Sequence, residues 1–449
     1  MVTPCKGHAK VGGWLQPVGS RRDSVIRKNA LKRFSFYVLL AILAVVPGLA
    51  LRLTGTDISP LVDMLASGVA ILGAGFMLSW GLETAEGHVS RGLALAVLAL
   101  ITVLPEYVVD IYYAFQAGRQ PGSDYVQFAA ANMTGANRLL VGFGWPLIVL
   151  LYWWRSGKRS VELNWSNSVE VSYLALGSLY SFVIVLKGRI DWFDALALFL
   201  IFGAYLRRLG KLPKDDDDEE EAEVGPAAVL TQLPPRKQYA AIAALAIFAA
   251  LTLIVEAEPF AESLIAAAAD LGVNKFFLIQ WLSPLAGEAP EIVITVLFTL
   301  SLRPTYALAA LISDKINQWT LLVGTLPLVY SLGAGAMLAL PLDARQHEEF
   351  FLTAAQSLFA VALLLRLRFS LPSALILLLL FLTQLIVAFV FQHDEARTIA
   401  LLTWFAWFYL VMAFALFLFN RARLVDFIRV GLLNRSRAAE TARKPVAAD

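Results

Sequence analysis

Among 449 residues there is one cysteine, Cys5, and there are four histidines, His8, His88, His347 and His393. A lone thiol excludes an intrachain disulfide and a thiolate metal cluster. The histidines fall at or beyond the ends of apolar runs, so no imidazole set is available for a thiophilic metal. Charge is scarce too: Asp, Glu, Lys and Arg make up 16% of the chain against 58% hydrophobic residues, and the mean hydropathy is +0.66. That balance excludes an ordinary soluble globular protein and predicts an all-α polytopic membrane protein surrounded by membrane lipid. A net charge of +2 leaves no basic surplus for a nucleic-acid partner, and nothing in the sequence marks a cofactor site.

What the chain has is a series of apolar runs, each near the ~20 residues that a span needs. Helices are expected at about 34–53, 59–85, 91–117, 125–153, 169–187, 190–207, 238–271, 275–302, 304–333, 348–367, 371–392 and 397–420, about 12 transmembrane helices in all. Glu256, Glu258 and Pro259 lie inside the 238–271 run, which is therefore expected to kink or break. Basic residues gather on alternate loops: Arg155, Lys158 and Arg159, then Arg207 to Lys237, then Arg366 and Arg368, then the tail from Arg421 to Lys444. The intervening loops carry scattered charges such as Arg52, Arg119, Lys187, Arg189, Lys275, Arg345 and Arg397. The positive-inside rule then places both termini in the cytoplasm, with the cell (inner) membrane as the expected location.

This map divides the chain. Residues 1–33 form a basic cytoplasmic arm, too long for the n-region of a signal peptide. An extra N-terminal helix occupies 34–57, a first repeat 58–207, an acidic cytoplasmic linker 208–237, a second repeat 238–392, and an extra C-terminal helix with a basic tail 393–449. The linker holds the run Asp215 to Glu221. Its like charges lack the alternating ligand spacing of a calcium loop, so it reads as a solvated spacer.

The chemistry concentrates between Trp281 and Pro327, where Glu288, Glu291, Asp314 and Lys315 sit in apolar sequence. A charge at the centre of a spanning helix costs roughly 2.5–3.5 kcal/mol on insertion scales, so such residues face a cavity and handle ions or protons. Pro290 donates no backbone N–H and frees the carbonyl of Ala286 for another partner. An earlier copy of the pattern runs through Pro105-Glu106, Asp110 and Ala131 to Pro146. Aligning Leu139-Leu140-Val141-Gly142 with Leu321-Leu322-Val323-Gly324 sets Asn132 opposite Asp314. The second Pro-Glu helix comes five crossings after the first, so the two run in opposite senses, as in the inverted repeats of secondary transporters.

Glu106 and Asp110 are four apart, and Glu288 and Glu291 three apart, so each pair lies on one helix face. These carboxylates, with Asp314, Asn132, Thr102 and freed carbonyls, form an all-oxygen set suited to a hard cation such as calcium or sodium. Lys315 lies about eleven residues into its helix, roughly 17 Å deep. It must point into the protein, with Glu288 or Asp110 as the expected partner, or lose its proton. Either outcome makes it a modulator of ion coupling. Asn137 fits a role in joining helices, and the Glu83/Glu86 and Glu256/Glu258/Glu262 groups fit a vestibule or interface.

The segments L-P-E…A-N-M-T-G-A-N and A-P-E…S-D-K-I-N-Q resemble the alpha repeats of the calcium/cation antiporter superfamily, sodium/calcium exchanger type, whose repeats read approximately G-T-S-x-P-E…G-N-x-x-G-S-N. The resemblance covers about residues 80–150 and 250–330. It implies two inverted five-helix repeats plus extra terminal helices, with Glu106 and Glu291 as central ion-binding glutamates, Asn132 and Asp314 as ligands from the following helices, and Thr102 as the motif threonine. The pattern departs at Val103 and Glu288, where the motif has serine, at Gly287, where it has threonine, and at Asn317-Gln318-Trp319; Lys315 has no place in it. The function implied is secondary exchange of calcium for sodium or protons by alternating access, with Ca2+, Na+ or H+ as the transported cations. Rival classes are another cation/proton antiporter on the same fold, an intramembrane carboxylate enzyme and a structural subunit. The enzyme reading lacks a glycine-flanked Asp pair, and no enzymatic activity is expected. If the linker is a spacer, replacing 215–223 with a Gly/Ser segment of equal length leaves ion flux in vesicles nearly unchanged. Complete loss of flux in the folded variant refutes that reading.

Overall fold

The computed structural model describes residues 21–86, 104–212, 226–231, 233–421 and 423–424. Cys5, His8, His88, Thr102, Val103, the acidic run 215–223, the first part of the 91–117 run and the tail beyond 424 lie outside the described residues, as do the side chains of Glu83 and Glu86. The described helices are α1 Arg21–Thr54, α2 Pro60–Glu86, α3 Leu104–Arg119, α4 Tyr125–Leu139, α5 Trp145–Ser156, α6 Ser168–Lys187, α7 Trp192–Leu209, α8 Ala227–Leu230, α9 Pro235–Leu271, α10 Lys275–Leu300, α11 Pro304–Asn317, α12 Val323–Ala334, α13 Ala344–Leu364, α14 Leu371–Val390 and α15 Glu395–Phe419. Among the described residues, 8 segments are long and apolar enough to cross a membrane: α1 from Ser35, α2, α4 with α5, α6, α9, α10, α14 and α15. The expected spans at α7, α11–α12 and α13 carry Asp194, Asp314, Lys315, Glu348 and Glu349, and their hydropathy is diluted by charges that the protein interior takes up.

Three features differ from the sequence expectation. The first helix begins at Arg21, inside the basic arm. The 238–271 run is not broken: α9 continues through Pro259 as one helix of 37 residues. Conversely, two runs expected as single helices are interrupted, α4 and α5 by a π-helical turn at Leu140–Gly144, α11 and α12 by another at Gln318–Leu322. A π turn inserts a residue into the helical ladder and rotates the helix beyond it, which is why such turns gather at functional sites.

Two short antiparallel ladders tie the bundle at opposite faces. The strand β1 (Ser160–Glu162), between α5 and α6, pairs with β4 (Arg368–Ser370), between α13 and α14. On the other side β2 (Arg189–Ile190), between α6 and α7, pairs with β3 (Leu340–Pro341), between α12 and α13. We designate the first face A and the second face B. Capping residues fix where the helices leave each face: Asp191 accepts from the backbone N–H groups of Phe193 and Asp194 at the start of α7, and Asp343 from that of Gln346 at the start of α13. Both satisfy orphan N–H groups. The α2–α9 pair is antiparallel, since Gly68 faces Phe260 while Gly81 faces Ile242 and Leu245.

In lipid the apolar effect gives helices no reason to associate, so packing and close backbone approach must do so. Pro284 leaves the carbonyl of Gln280 without its helical donor, and Gly135 of α4 lies directly on that carbonyl: a Cβ there would be 1.8 Å from the Gln280 oxygen. Gly118 and Gly333 make the same approach reciprocally, against the carbonyls of Tyr330 and Phe115 at 2.1 and 2.2 Å. Gly135→Ala must therefore separate α4 from α10, and overpacking of this kind costs about 1–3 kcal/mol. Gly203 of α7 has nothing within 4 Å of a built Cβ, so Gly203→Ala is neutral or stabilising. Thermal unfolding in detergent checks the pair, with equal melting of Gly135→Ala and wild type as the contrary result.

Candidate cation site

Glu106 is carried at the start of α3, immediately after Pro105, and Glu288 and Glu291 flank Pro290 in α10. One carboxylate oxygen from each of the three lies within 4.8 Å of the others. All three are at most 9% exposed, with Glu288 at 0%. The two prolines face the same helix: a Cβ on Gly75 of α2 would be 2.7 Å from Pro290 Cγ and 3.5 Å from Pro105 Cγ. Gln318, the first residue of the second π turn, donates through Nε2 to Glu288 Oε1. The π turn thereby brings an amide of the α11–α12 passage to the triad.

One turn along α3 from Glu106, the buried Asp110 Oδ1 accepts from Asn132 Nδ2 of α4 at 2.9 Å. Its Oδ2 and the Oδ1 of Asn132 make no hydrogen bond, so each retains an oxygen for another ligand. Asp314 is half-buried; its charge acts on Glu106 and Glu288, but it is not part of the triad. Thr102 lies outside the described residues. The structure thus brings together Glu106, Glu288 and Glu291, sets Asp110 with Asn132 beside them, and leaves Asp314 at the margin. The donors are all oxygen, the chemistry of a hard cation.

Lys315 does not hydrogen-bond with either expected carboxylate. Its ammonium donates to Asn137 O at 2.8 Å and to Asn137 Oδ1 at 3.0 Å, and it lies 5.5 Å from the centre of the Trp319 ring. Asn137 satisfies the lysine with neutral oxygens rather than with a carboxylate of the triad. Of the outlying acids, Glu256 is fully buried with Arg52 of α1 3.8 Å away, Glu262 accepts from Tyr112 and Tyr125, and Glu258 is exposed. None of these joins the triad.

Sequence reasoning passes over Gln318 as a ligand partner and misses a buried ionic group altogether. Arg138 of α4 is paired with Glu349 of α13, which also holds Arg345 at 2.5 Å. A signal exists for Arg138, since the insertion cost that singles out Lys315 applies equally to an arginine in the 125–153 run. Glu348 and Glu349 stand at the start of an expected span, where a charge reads as interfacial.

A sodium/calcium exchanger protein family model matches residues 59–209 and 241–390. The structure is similar to a crystal structure of the H+/Ca2+ exchanger CAX, with 38% sequence identity over 89% of this chain and 97% of that one and a TM-score of 0.81. It also shares its fold with native YfkE, at 14% identity over 80% of this chain and 99% of that one and a TM-score of 0.55. No curated protein matches the sequence.

The space where the motif has threonine is already filled. A Cβ on Gly287 would be 2.9 Å from Glu106 Cγ, so Gly287→Thr must push the Glu106 side chain away from Glu288 and Glu291. Divalent-cation affinity, measured by calorimetry in detergent, is expected to fall about tenfold or more, equivalent to about 1.4 kcal/mol, with the protein still folded. Unchanged affinity would show that Glu106 does not need its present position.

Proposed function

The chain belongs to the sodium/calcium exchanger protein family and is an integral membrane cation antiporter, not an enzyme, and from that premise we propose that it exchanges calcium for protons by alternating access at Glu106, Glu288 and Glu291. The observation that carries this reading is the triad itself. At 4.8 Å and an effective dielectric of about 20, two ionised carboxylates repel by about 3.5 kcal/mol. Three such pairs come to about 10 kcal/mol, the size of a whole domain's stability. The triad therefore needs positive charge, and Lys315 is committed to Asn137. A divalent cation or protons can supply it, and each excludes the other. Calcium entering displaces protons; protons returning release calcium.

Protons fit better than sodium as the counter-ion. Val103, Gly287 and Glu288 replace the hydroxyl residues of the motif, removing neutral ligands for a small monovalent ion and adding a third carboxylate that can take up a proton. The match to an H+/Ca2+ exchanger at 38% identity supports the same choice. Asp110, Asn132 and Asp314 complete the proposed ligand set, with Thr102 carried over from the motif. Lys315 contributes a fixed positive charge that limits how many monovalent cations the site holds.

Alternating access requires two halves that can rock about the site, and the strand ties support an inverted arrangement of 58–207 and 238–392. Since β1–β4 and β2–β3 mark faces A and B, α6 runs from A to B and α13 from B to A; α4–α5 ends at face A and α11–α12 at face B. Following the short connections, and with α2 antiparallel to α9, α2, α3, α4–α5, α6 and α7 run opposite in sense to α9, α10, α11–α12, α13 and α14. With α1 and α15 as the extra helices, the reading is twelve passages. Face A then carries Arg155, Lys158, Arg159, Arg207, Arg208, Arg366 and Arg368, which supports a cytoplasmic assignment for it.

Reconstituted vesicles test the proposal. An outward proton gradient is expected to drive uptake of radioactive calcium, an imposed sodium gradient to drive little, and Glu291→Gln and Glu106→Gln to abolish uptake with expression intact. Sodium-driven uptake insensitive to pH would overturn the counter-ion, and wild-type flux in Glu291→Gln the site.

A further inference from the structure

We propose that Glu348 and Glu349, set between Arg345 and Arg138, form a second proton-holding station that is separate from the triad and reached from face B. The inference rests on the proton-coupled reading of the triad. Glu349 is 0% exposed and bridges Arg345, one turn before it on α13, to Arg138 on α4. Arg138 is 1% exposed, and its guanidinium lies 5.0 Å from the centre of the Trp281 ring. Both partners of Glu349 are thus fixed cations.

Glu348 is different. It is 2% exposed, neither of its carboxylate oxygens makes a hydrogen bond, and, unlike Glu349, it is not within ion-pair distance of Arg138 or Arg345. The charges acting on it are Glu349 and Arg345 from its own helix and Arg138 from α4; α6 and α15 also pack on α13, and their charged residues are Glu170 and Lys187 on α6 and Glu395 and Arg397 on α15. A buried carboxylate needs a partner or neutralisation. Its neighbouring arginines are held by Glu349, and a proton is the one neutralising ligand that needs no additional oxygen ligands.

The station is connected in both directions. Towards face B, Arg345 lines a cavity of about 230 Å³ together with Asp124, Asn274, Lys275, Gln392 and Glu395, so water there is one turn from the carboxylates. Inward, Arg138 adjoins Asn137, which holds Lys315, and the Lys315 ammonium acts electrostatically on Glu288. A proton passing from cavity water to the Glu348 carboxylate, giving the neutral acid, adds one positive charge to the Arg345–Glu349–Arg138 group. Through Arg138 and Lys315 that charge opposes a cation in the triad. Protonation at Glu348 thus favours calcium release without occupying a calcium ligand.

The experiment compares two flux modes in vesicles containing the full chain: proton-driven uptake of radioactive calcium, and calcium/calcium exchange, which moves no net protons. For Glu348→Gln we expect proton-driven uptake to fall at least tenfold and its pH profile to flatten, while calcium/calcium exchange and the calcium-dependent rise in melting temperature persist. Glu348→Ala, which removes the carboxyl without adding an amide to a dry site, is expected to give the same split and serves if the amide variant does not fold. A pH profile that overlays the wild type overturns the proposal, as does loss of both modes in folded protein. Wild-type protein that moves calcium only in the exchange mode or on a sodium gradient instead removes the proton-coupled reading itself, and the station with it.

Discussion

Three carboxylates held within 4.8 Å of one another in a buried site form the constraint on which the rest of the molecule turns. Such a group is unstable empty and ionised, because the repulsion approaches the net stability of a domain. It is tolerable when filled by a cation or by protons. On the proposed reading occupancy is then a requirement of the fold rather than an accident of the medium, and two mutually exclusive ways of meeting it are what an exchanger needs. Lys315 does not hydrogen-bond with the triad, because its ammonium donates to the two neutral oxygens of Asn137.

Bringing those carboxylates together demands close backbone approach from helices that lipid does not push together. Small residues and prolines achieve it. Gly287 leaves room for Glu106, Gly75 accepts Pro290 and Pro105, and Gly135 lies on the carbonyl that Pro284 sets free. The π turns act in the same cause, since the one at Gln318–Leu322 begins with the residue that donates to Glu288. A regular helix through 304–333 would have rotated the residues on either side of that turn relative to one another.

How much of this was legible in the sequence depends on the kind of signal. Helices and the Pro-Glu pairs were readable because apolar length and buried charge are properties of the chain itself, and Glu106, Glu288 and Glu291 were found that way. Helix interruptions were not. Pro259 suggested a kink or a break, and α9 runs through it as one helix, since a helix tolerates a proline when neighbours satisfy the freed carbonyl, whereas nothing local announces a π turn at Leu140 or Gln318. Partner choice was equally hidden: Lys315 has carboxylates nearby in sequence, yet its partner comes from a helix 178 residues away. Periodicity reports which face a residue occupies, not which of several polar groups across the interface will meet it.

The distribution of the buried cations follows from the same electrostatics. Arg138 and Arg345 both pair with Glu349, which does not belong to the triad, while Lys315 is held by Asn137. On the proposed reading, a cation that reached the triad would lower the charge available to a divalent ion and weaken the competition between calcium and protons. Buried cations of this kind still shape the potential at the site, because burial screens them far less than solvent would. Asparagine at 137 is what maintains the separation: its side chain and main chain together satisfy the ammonium, and a carboxylate in that place would have neutralised the lysine. A neutral acceptor fixes the lysine nitrogen in position without neutralising it through an ion pair.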